Sequence, residues 1–144
     1  MPDESSSTSV MPRLFGVQAA NCAPYFAAFR AGVEYFIPSP VTPTIAEGIA
    51  SSKPTRMHEV LAPVRDSGGE IVAVSEDEIV RALAALAKKG LYVEPTSAVA
   101  AAGLSQLIAR GVIKKGENTV LVLTGSGLKA SETIGKLLKL AARF

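Results

Sequence analysis

The chain has 144 residues, 48% of them hydrophobic and 19% charged, with a formal net charge of +2 at pH 7. That length and apolarity suit one compact domain and exclude a mostly disordered chain. Lys and Arg are scattered among Asp and Glu, so no basic stripe exists to neutralise nucleic-acid phosphates, and the single cysteine, Cys22, has no internal disulfide partner.

One cysteine with one histidine, His58, is a poor inventory for structural zinc, and the cysteine usage fits a reducing, cytoplasmic setting. Residues 1–10 combine acidic residues with a Ser/Thr run, without the basic start and apolar core of a secretion signal, and predict a flexible tail. From residue 13 onward short β-like runs alternate with longer helical ones. A strand is expected at 14–19 and a helix at 23–31. Residues 37–44 predict a loop, because Pro38, Pro40 and Pro43 remove donors and restrict their predecessors. A helix is expected near 44–51. Another is expected at 55–66, where Met57, Val60, Leu61 and Val64 recur at helical spacing and Gly68-Gly69 ends the run, although Pro63 lies inside it.

The second half begins with a buried strand at 71–74. Ser75 followed by Glu78 spells a capping box, Ile79, Leu83 and Leu86 form an apolar stripe, and Lys88, Lys89 and Gly90 close the helix. A short strand is expected at 91–93. A helix follows at 96–110, where Ala98, Ala100, Ala101, Ala102 and Gly103 permit close packing and Gly111 stops the run. That stretch carries Thr, Ser and Gln and falls short of the roughly 20 apolar residues that cross a bilayer. Residues 119–123 read as a strand, and 131–142 as a helix with Ile134, Leu137, Leu138 and Ala141 inward.

Four strands separated by helices predict an α/β fold of three layers, with a mainly parallel sheet joined by right-handed crossovers. Ligands of such sheets collect beyond the carboxyl ends of the strands. Glu94 follows the third expected strand and Thr124-Gly125-Ser126-Gly127 follows the fourth, so both are expected on one rim. A Thr-Gly-Ser-Gly turn alone is weak evidence, since most such turns only redirect the chain.

Several segments in order strengthen it: Phe15-Gly16-Val17-Gln18-Ala19, Cys22-Ala23-Pro24, Thr44-Ile45-Ala46, Ser67-Gly68-Gly69, Val72-Ala73-Val74-Ser75, Glu94-Pro95-Thr96-Ser97-Ala98, and Leu123-Thr124-Gly125-Ser126-Gly127-Leu128-Lys129. Together they resemble the C-terminal part of threonine synthase, a pyridoxal-phosphate enzyme of the tryptophan-synthase-like fold. The resemblance implies that residues 11–144 form the C-terminal half of the large domain of a fold-type II enzyme. It implies that the complete lyase converts O-phosphohomoserine and water into threonine and phosphate.

By the same resemblance, Thr124 meets the pyridine nitrogen of pyridoxal 5'-phosphate, Gly125 and Gly127 let the backbone approach the ring, Ala46 stands beside it, and Glu94 is a carboxylate near it. Thr44 and Lys129 are weaker candidates. The bare alternatives are a tight turn at 124–127 and a negative charge at a helix start at Glu94. The family's Schiff-base lysine, its neighbouring asparagine and its Gly/Asn-rich phosphate loop are not recognisable, so no catalytic residue and no metal ligand is assigned. His58, with polar neighbours, is expected to be exposed, and Cys22 a small buried packing residue.

The chain alone is therefore expected to be inactive, to pair with an N-terminal half or self-associate, and to meet a small amino-acid substrate, with no nucleic-acid or membrane partner. Two other readings stand beside this one. One is a related serine or threonine dehydratase fragment; the other is an interaction module that kept the fold without the chemistry.

Overall fold

Two parallel strands, β1 (Phe15–Ala19) and β2 (Glu70–Val74), pair in register from Phe15 with Glu70 to Ala19 with Val74 in a computed structural model that describes residues 11–139. Their side chains alternate between the faces of the sheet. The crossover between them contains α1 (Pro24–Ala31) and α2 (Met57–Asp66), which cover the face of Ile71 with Ala28, Met57, Leu61 and Val64. On the other face, Val17 and Val72 pack with Leu107 of α4 (Pro95–Ala109) and with Ile113. Helix α3 (Glu76–Lys88) lies against α4, joining Ile79, Leu83 and Leu86 to Ala98, Val99 and Ala102 around Ala19 and Val74. The layers are helix, sheet and helix, the α/β arrangement expected.

Helix α4 sits so close to the sheet because it presents a glycine there. A Cβ built on Gly103 would run into the Val17 side chain. The small-residue run thus performs the close packing expected of it. Gly90 (φ 80°) and Gly111 (φ 70°) take the left-handed conformation after α3 and α4, as their positions predicted. Pro63 lies inside α2 without ending it.

Three expected elements are corrected. Residues 119–123 form no strand: Val120 is 90% and Val122 68% exposed, and residues 118–124 take part in no backbone-to-backbone hydrogen bond among the described residues. A run of Val and Leu marks a segment fit to pair, but a strand exists only with a neighbour. Residues 91–93 likewise form no strand, and Val93 makes a single antiparallel bridge to Ser126. The sheet of the described residues therefore has two strands, not four.

The helix expected at 44–51 is only a 3-10 turn at Glu47–Ile49. Here a distant side chain takes a backbone donor that a helix would use: the Gly48 N–H, which a helix would give to the Thr44 carbonyl, donates to Thr96 Oγ1 at 3.2 Å.

The final helix, α5 (Ser131–Leu137), buries Ile134 and half-buries Leu137 and Leu138. Ala141 and the expected tail at 1–10 lie outside the described residues. Among the described residues no helix is long and apolar enough to cross a membrane.

The capping box at the start of α3 is fully formed. Ser75 Oγ accepts the Glu78 N–H at 3.3 Å, and Glu78 accepts the Ser75 N–H at 2.7 Å. The bond from the Ser75 N–H is the main cause holding the Glu78 carboxyl below its ordinary range, against a smaller opposing effect of burial. A carboxyl depressed in the folded state stabilises it above the unfolded pKa and loses that contribution as pH falls through the folded value. Ser75→Ala is expected to cost about 1 kcal/mol at neutral pH. Glu78→Gln is expected to be destabilised relative to wild type at pH 7 and to converge with it in the acid range, as urea midpoints at the two pH values will show.

Candidate functional site

The site forms where the start of α4 is tied to the 124–127 turn. Glu94 occupies the N-cap position of α4 with extended backbone (φ −73°, ψ 158°), and Pro95 begins the helix where a missing N–H is harmless. The Glu94 N–H donates to the Gly125 carbonyl at 3.1 Å, and the Gly127 N–H donates to the Tyr92 carbonyl at 3.0 Å. Ser97, one turn into α4, accepts the Gly125 N–H at 2.7 Å, and its Oγ lies 3.3 Å from the Thr124 hydroxyl. Glu94 and Thr124, distant in sequence, are therefore neighbours, as the rim argument expected. An antiparallel bridge brings them together, rather than two parallel strand ends.

Both glycines of the turn sit in close approach to a neighbouring side chain. A Cβ on Gly125 would collide with the Glu94 carboxylate. One on Gly127 would lie 2.9 Å from both the Tyr92 ring and Ile134. Thr124 is exposed at the edge of this packing, with its hydroxyl on the Ser97 side.

The opposite wall is residues 43–48, fastened at two points. Glu76, the first residue of α3, accepts the Thr44 hydroxyl at 2.7 Å and the Ile45 N–H at 2.8 Å. The Gly48 N–H donates to Thr96 Oγ1 at 3.2 Å, and Gly48 leaves no room for a Cβ against Thr96. A cleft of about 470 Å³ lies between residues 43–48 and the start of α4, lined by Thr44, Glu47 and Gly48 on one side and Glu94, Thr96 and Lys129 on the other; Thr124 and Gly125 are not among its lining residues.

Ala46 does not line that cleft. It is 0% exposed and packs in the core with Ala19, Val74 and Ile79. Its smallness lets the wall approach the end of the sheet, while its neighbours Thr44, Ile45 and Glu47 face the open space. Lys129 reaches the same cleft, on the turn after Gly127.

The residues given no role lie elsewhere. His58 has a side chain 71% exposed and pairs with Glu34, which Arg65 also reaches at 3.2 Å. The His58 bond is the main cause lowering the Glu34 pKa. Arg65 also donates to the Phe29 and Val33 carbonyls, so this cluster closes the end of α1. Cys22 is 1% exposed, a packing residue. Among the described residues no group of three or more metal-ligating side chains occurs.

Three residues that shape the site received no separate role in the sequence: Ser97, Thr96 and Glu76. Ser97 and Thr96 stand inside the Glu94–Ala98 motif, but only contact with the distant turns shows what each holds. Glu76 is one of three acidic residues in a first helical turn, where helix-dipole stabilisation alone accounts for a carboxylate.

Residues 3–125 match the family described as "Pyridoxal-phosphate dependent enzyme". The chain is 39% identical to the threonine synthase of Methanocaldococcus jannaschii over 83% of its own length and 30% of that protein. It is 34% identical to the threonine synthase of Methanosarcina acetivorans, over 88% of this chain and 32% of that protein. The chain thus spans about a third of the length of these curated relatives.

Among solved structures, it resembles a fungal L-serine ammonia-lyase from Rhizomucor miehei (TM-score 0.63, 16% identity, 88% of this chain and 40% of that one). It also resembles maize serine racemase (TM-score 0.61, 21% identity, 88% of this chain and 39% of that one). Those likenesses show the fold. The resemblance to threonine synthase read from the sequence motifs is borne out.

Proposed function

Because the chain belongs to the pyridoxal-phosphate-dependent enzyme family, we propose that it forms one wall of a threonine synthase catalytic domain, in which Thr124 meets the pyridine nitrogen of the cofactor. The complete domain would convert O-phosphohomoserine and water into threonine and phosphate. When bound, the cofactor supplies an electron sink for carbanions formed on an amino-acid substrate. The observation that carries this reading is the tie between 124–127 and the start of α4, which holds an exposed hydroxyl beside a glycine packed against Glu94.

The residues present fit the nitrogen edge of a pyridine ring. Among the described residues the Thr124 hydroxyl has Ser97 as its one hydrogen-bond partner, so it retains capacity toward a ligand. Gly125 keeps the adjacent backbone free of a side chain. Glu94, held over Gly125, and Lys129 supply opposite charges at the edge of the cleft. Ala46 acts from behind the wall: its methyl fills the core and sets the position of Thr44 to Gly48.

A second polypeptide segment completes the domain in this reading. The chain spans about a third of its relatives, and the exposed apolar side chains of Val120 and Val122 offer an extended segment that a complementary part would cover. Threonine synthase is favoured over a dehydratase because the sequence relatives above are threonine synthases, at 34% and 39% identity, while the ammonia-lyase and racemase likenesses lie at 16% and 21%.

Thr124→Val tests the reading in a catalytic domain completed with a threonine synthase N-terminal part. It removes a hydroxyl while keeping the shape. Turnover is expected to fall about tenfold, the rate equivalent of one hydrogen bond worth about 1.4 kcal/mol, with a shift of the cofactor absorption band. An unchanged rate and an unchanged band would remove Thr124 from the site.

A further inference from the structure

Residues 118–124 carry unused backbone bonding capacity between two fixed ends. At one end Glu117 is held by Arg13, and at the other the Gly125 carbonyl and amide are taken by Glu94 and Ser97. Between them exposure alternates: Val120, Val122 and Thr124 are exposed and Leu121 and Leu123 half-buried, the pattern of an extended chain with one face outward. Leu123 packs against the core that holds Ala19 and Val74, so the inward face is seated on this chain. An extended segment with unpaired backbone groups is a template for pairing with another chain.

The segment is its own complement. The run free of backbone-to-backbone bonds among the described residues, 118–124, is centred on Leu121. An antiparallel copy, turned about a two-fold axis at Leu121, sets Val120 opposite Val122, Thr119 opposite Leu123 and Asn118 opposite Thr124. Each free residue then meets a free residue. A shifted register would set part of the run against Gly125 or Glu117, whose amides are already bonded, and a shift by one would also match the exposed face with the half-buried one. Charge favours the match as well. Residues 118–128 carry no charge, so no like charges meet along the pairing, and Glu117 is neutralised by Arg13.

We infer that residues 118–124 form a self-pairing edge, through which two copies of this chain join as antiparallel strands about Leu121. The contact is isologous, the kind that closes a two-fold dimer. It is small beside the roughly 800 Å² per partner of a stable interface, so the pair is expected to form and separate with concentration. The inference needs no cofactor and goes beyond the proposed function, but it bears on it. A second copy would set its Asn118 against Thr124 and cover Val120 and Val122, so self-pairing and completion by another segment exclude one another.

Sedimentation velocity of the 144-residue chain, over about a hundredfold range of micromolar concentration, is expected to show a monomer–dimer equilibrium. Val120→Glu with Val122→Glu sets like charges directly opposite each other at two places and is expected to weaken association at least about tenfold. Val120→Glu with Val122→Lys removes the same apolar surface but sets each glutamate opposite a lysine, and is expected to keep association within about threefold of wild type. Both positions are exposed, so neither variant disturbs the core. Amide hydrogen exchange within 118–124 is expected to slow as the wild-type chain is concentrated.

A chain that stays monomeric across the range, or a dimer whose amides at 118–124 stay unprotected, overturns the inference. Equal loss of association in the two variants overturns it too, because it marks apolar clustering without register. Equal retention places the contact elsewhere and has the same force. None of these outcomes touches the Thr124→Val test of the proposed function, which is made in the completed domain.

Discussion

Gly103→Val is expected to destabilise the chain by about 3 kcal/mol or more, at or beyond the upper end of the usual overpacking range. Even a single Cβ at Gly103 would overlap the Cβ and both Cγ atoms of Val17. Those atoms are the stem of a β-branched side chain, which cannot swing aside as the end of a long one can. Val17 is also pinned from behind, because its strand pairs with Val72 in the middle of the only sheet among the described residues.

Helix α4 would have to lift, which opens the contacts of Ala98, Val99, Ala102 and Leu107. The measurement is a urea titration, with Gly103→Ala as the graded companion. Alanine introduces the smaller overlap, and its better helix propensity, worth about 1 kcal/mol over glycine, offsets part of the strain. Valine should therefore fall well below alanine, and alanine below wild type. A valine variant as stable as wild type would show that α4 does not rest on Val17.

The effect would extend to the site, because Glu94 and Ser97 stand at the start of the same helix. A helix displaced at Gly103 moves Ser97 about two turns away. Loss of protection at the Gly125 amide before global unfolding is the expected sign.

What could be read from the sequence divides along a physical line. Elements whose evidence is local were legible. The Ser75–Glu78 box, the Ile79–Leu83–Leu86 stripe and the glycines after α3 and α4 each declare a helix boundary or face within a few residues. Elements that need a distant partner were not. Residues 119–123 have the β-prone apolar run of a strand, yet pairing is a property of two segments and the described residues provide no second one. A helix is expected near residues 44–51, but Thr96, far along the chain, takes the Gly48 N–H that the helix would use.

The same division holds in the site. Thr124, Gly125 and Glu94 stand in contiguous motifs, and the structure makes them neighbours; their place at a cofactor is a proposal. Ala46 was named for its size, but its place in the core rather than on the cleft follows from packing against Val74 and Ile79. Ser97 was visible only as a letter in a motif. Its bonds to Gly125 and Thr124 cross 27 or 28 positions and appear only when the chain is folded.

Glu76→Ala is expected to release the wall at 43–48, at a cost of about 2–3 kcal/mol. One carboxylate performs two tasks there: Oε1 accepts the Thr44 hydroxyl and Oε2 the Ile45 N–H. Thr44 is 9% exposed, so its hydroxyl would lose its acceptor with little water to replace it. The negative charge at the first position of α3 would go as well, which removes a further few tenths of a kcal/mol or more of helix-dipole stabilisation. Thr44 Oγ1 also accepts the Ala46 N–H, so loss of its anchor passes to the residue that plugs the core.

Glu76→Gln is the discriminating partner variant, because its amide keeps one acceptor oxygen and donates from the other position. It should hold one of the two bonds and cost about half as much. Hydrogen exchange at the Ile45 and Ala46 amides reads the local effect, and urea midpoints read the global one. Protection at 45–46 that survives Glu76→Ala would show that the Gly48–Thr96 contact alone seats the wall. Loss at 45–46 with Gly125 still protected would show instead that the two walls of the cleft are fastened independently, one to α3 and the other to α4.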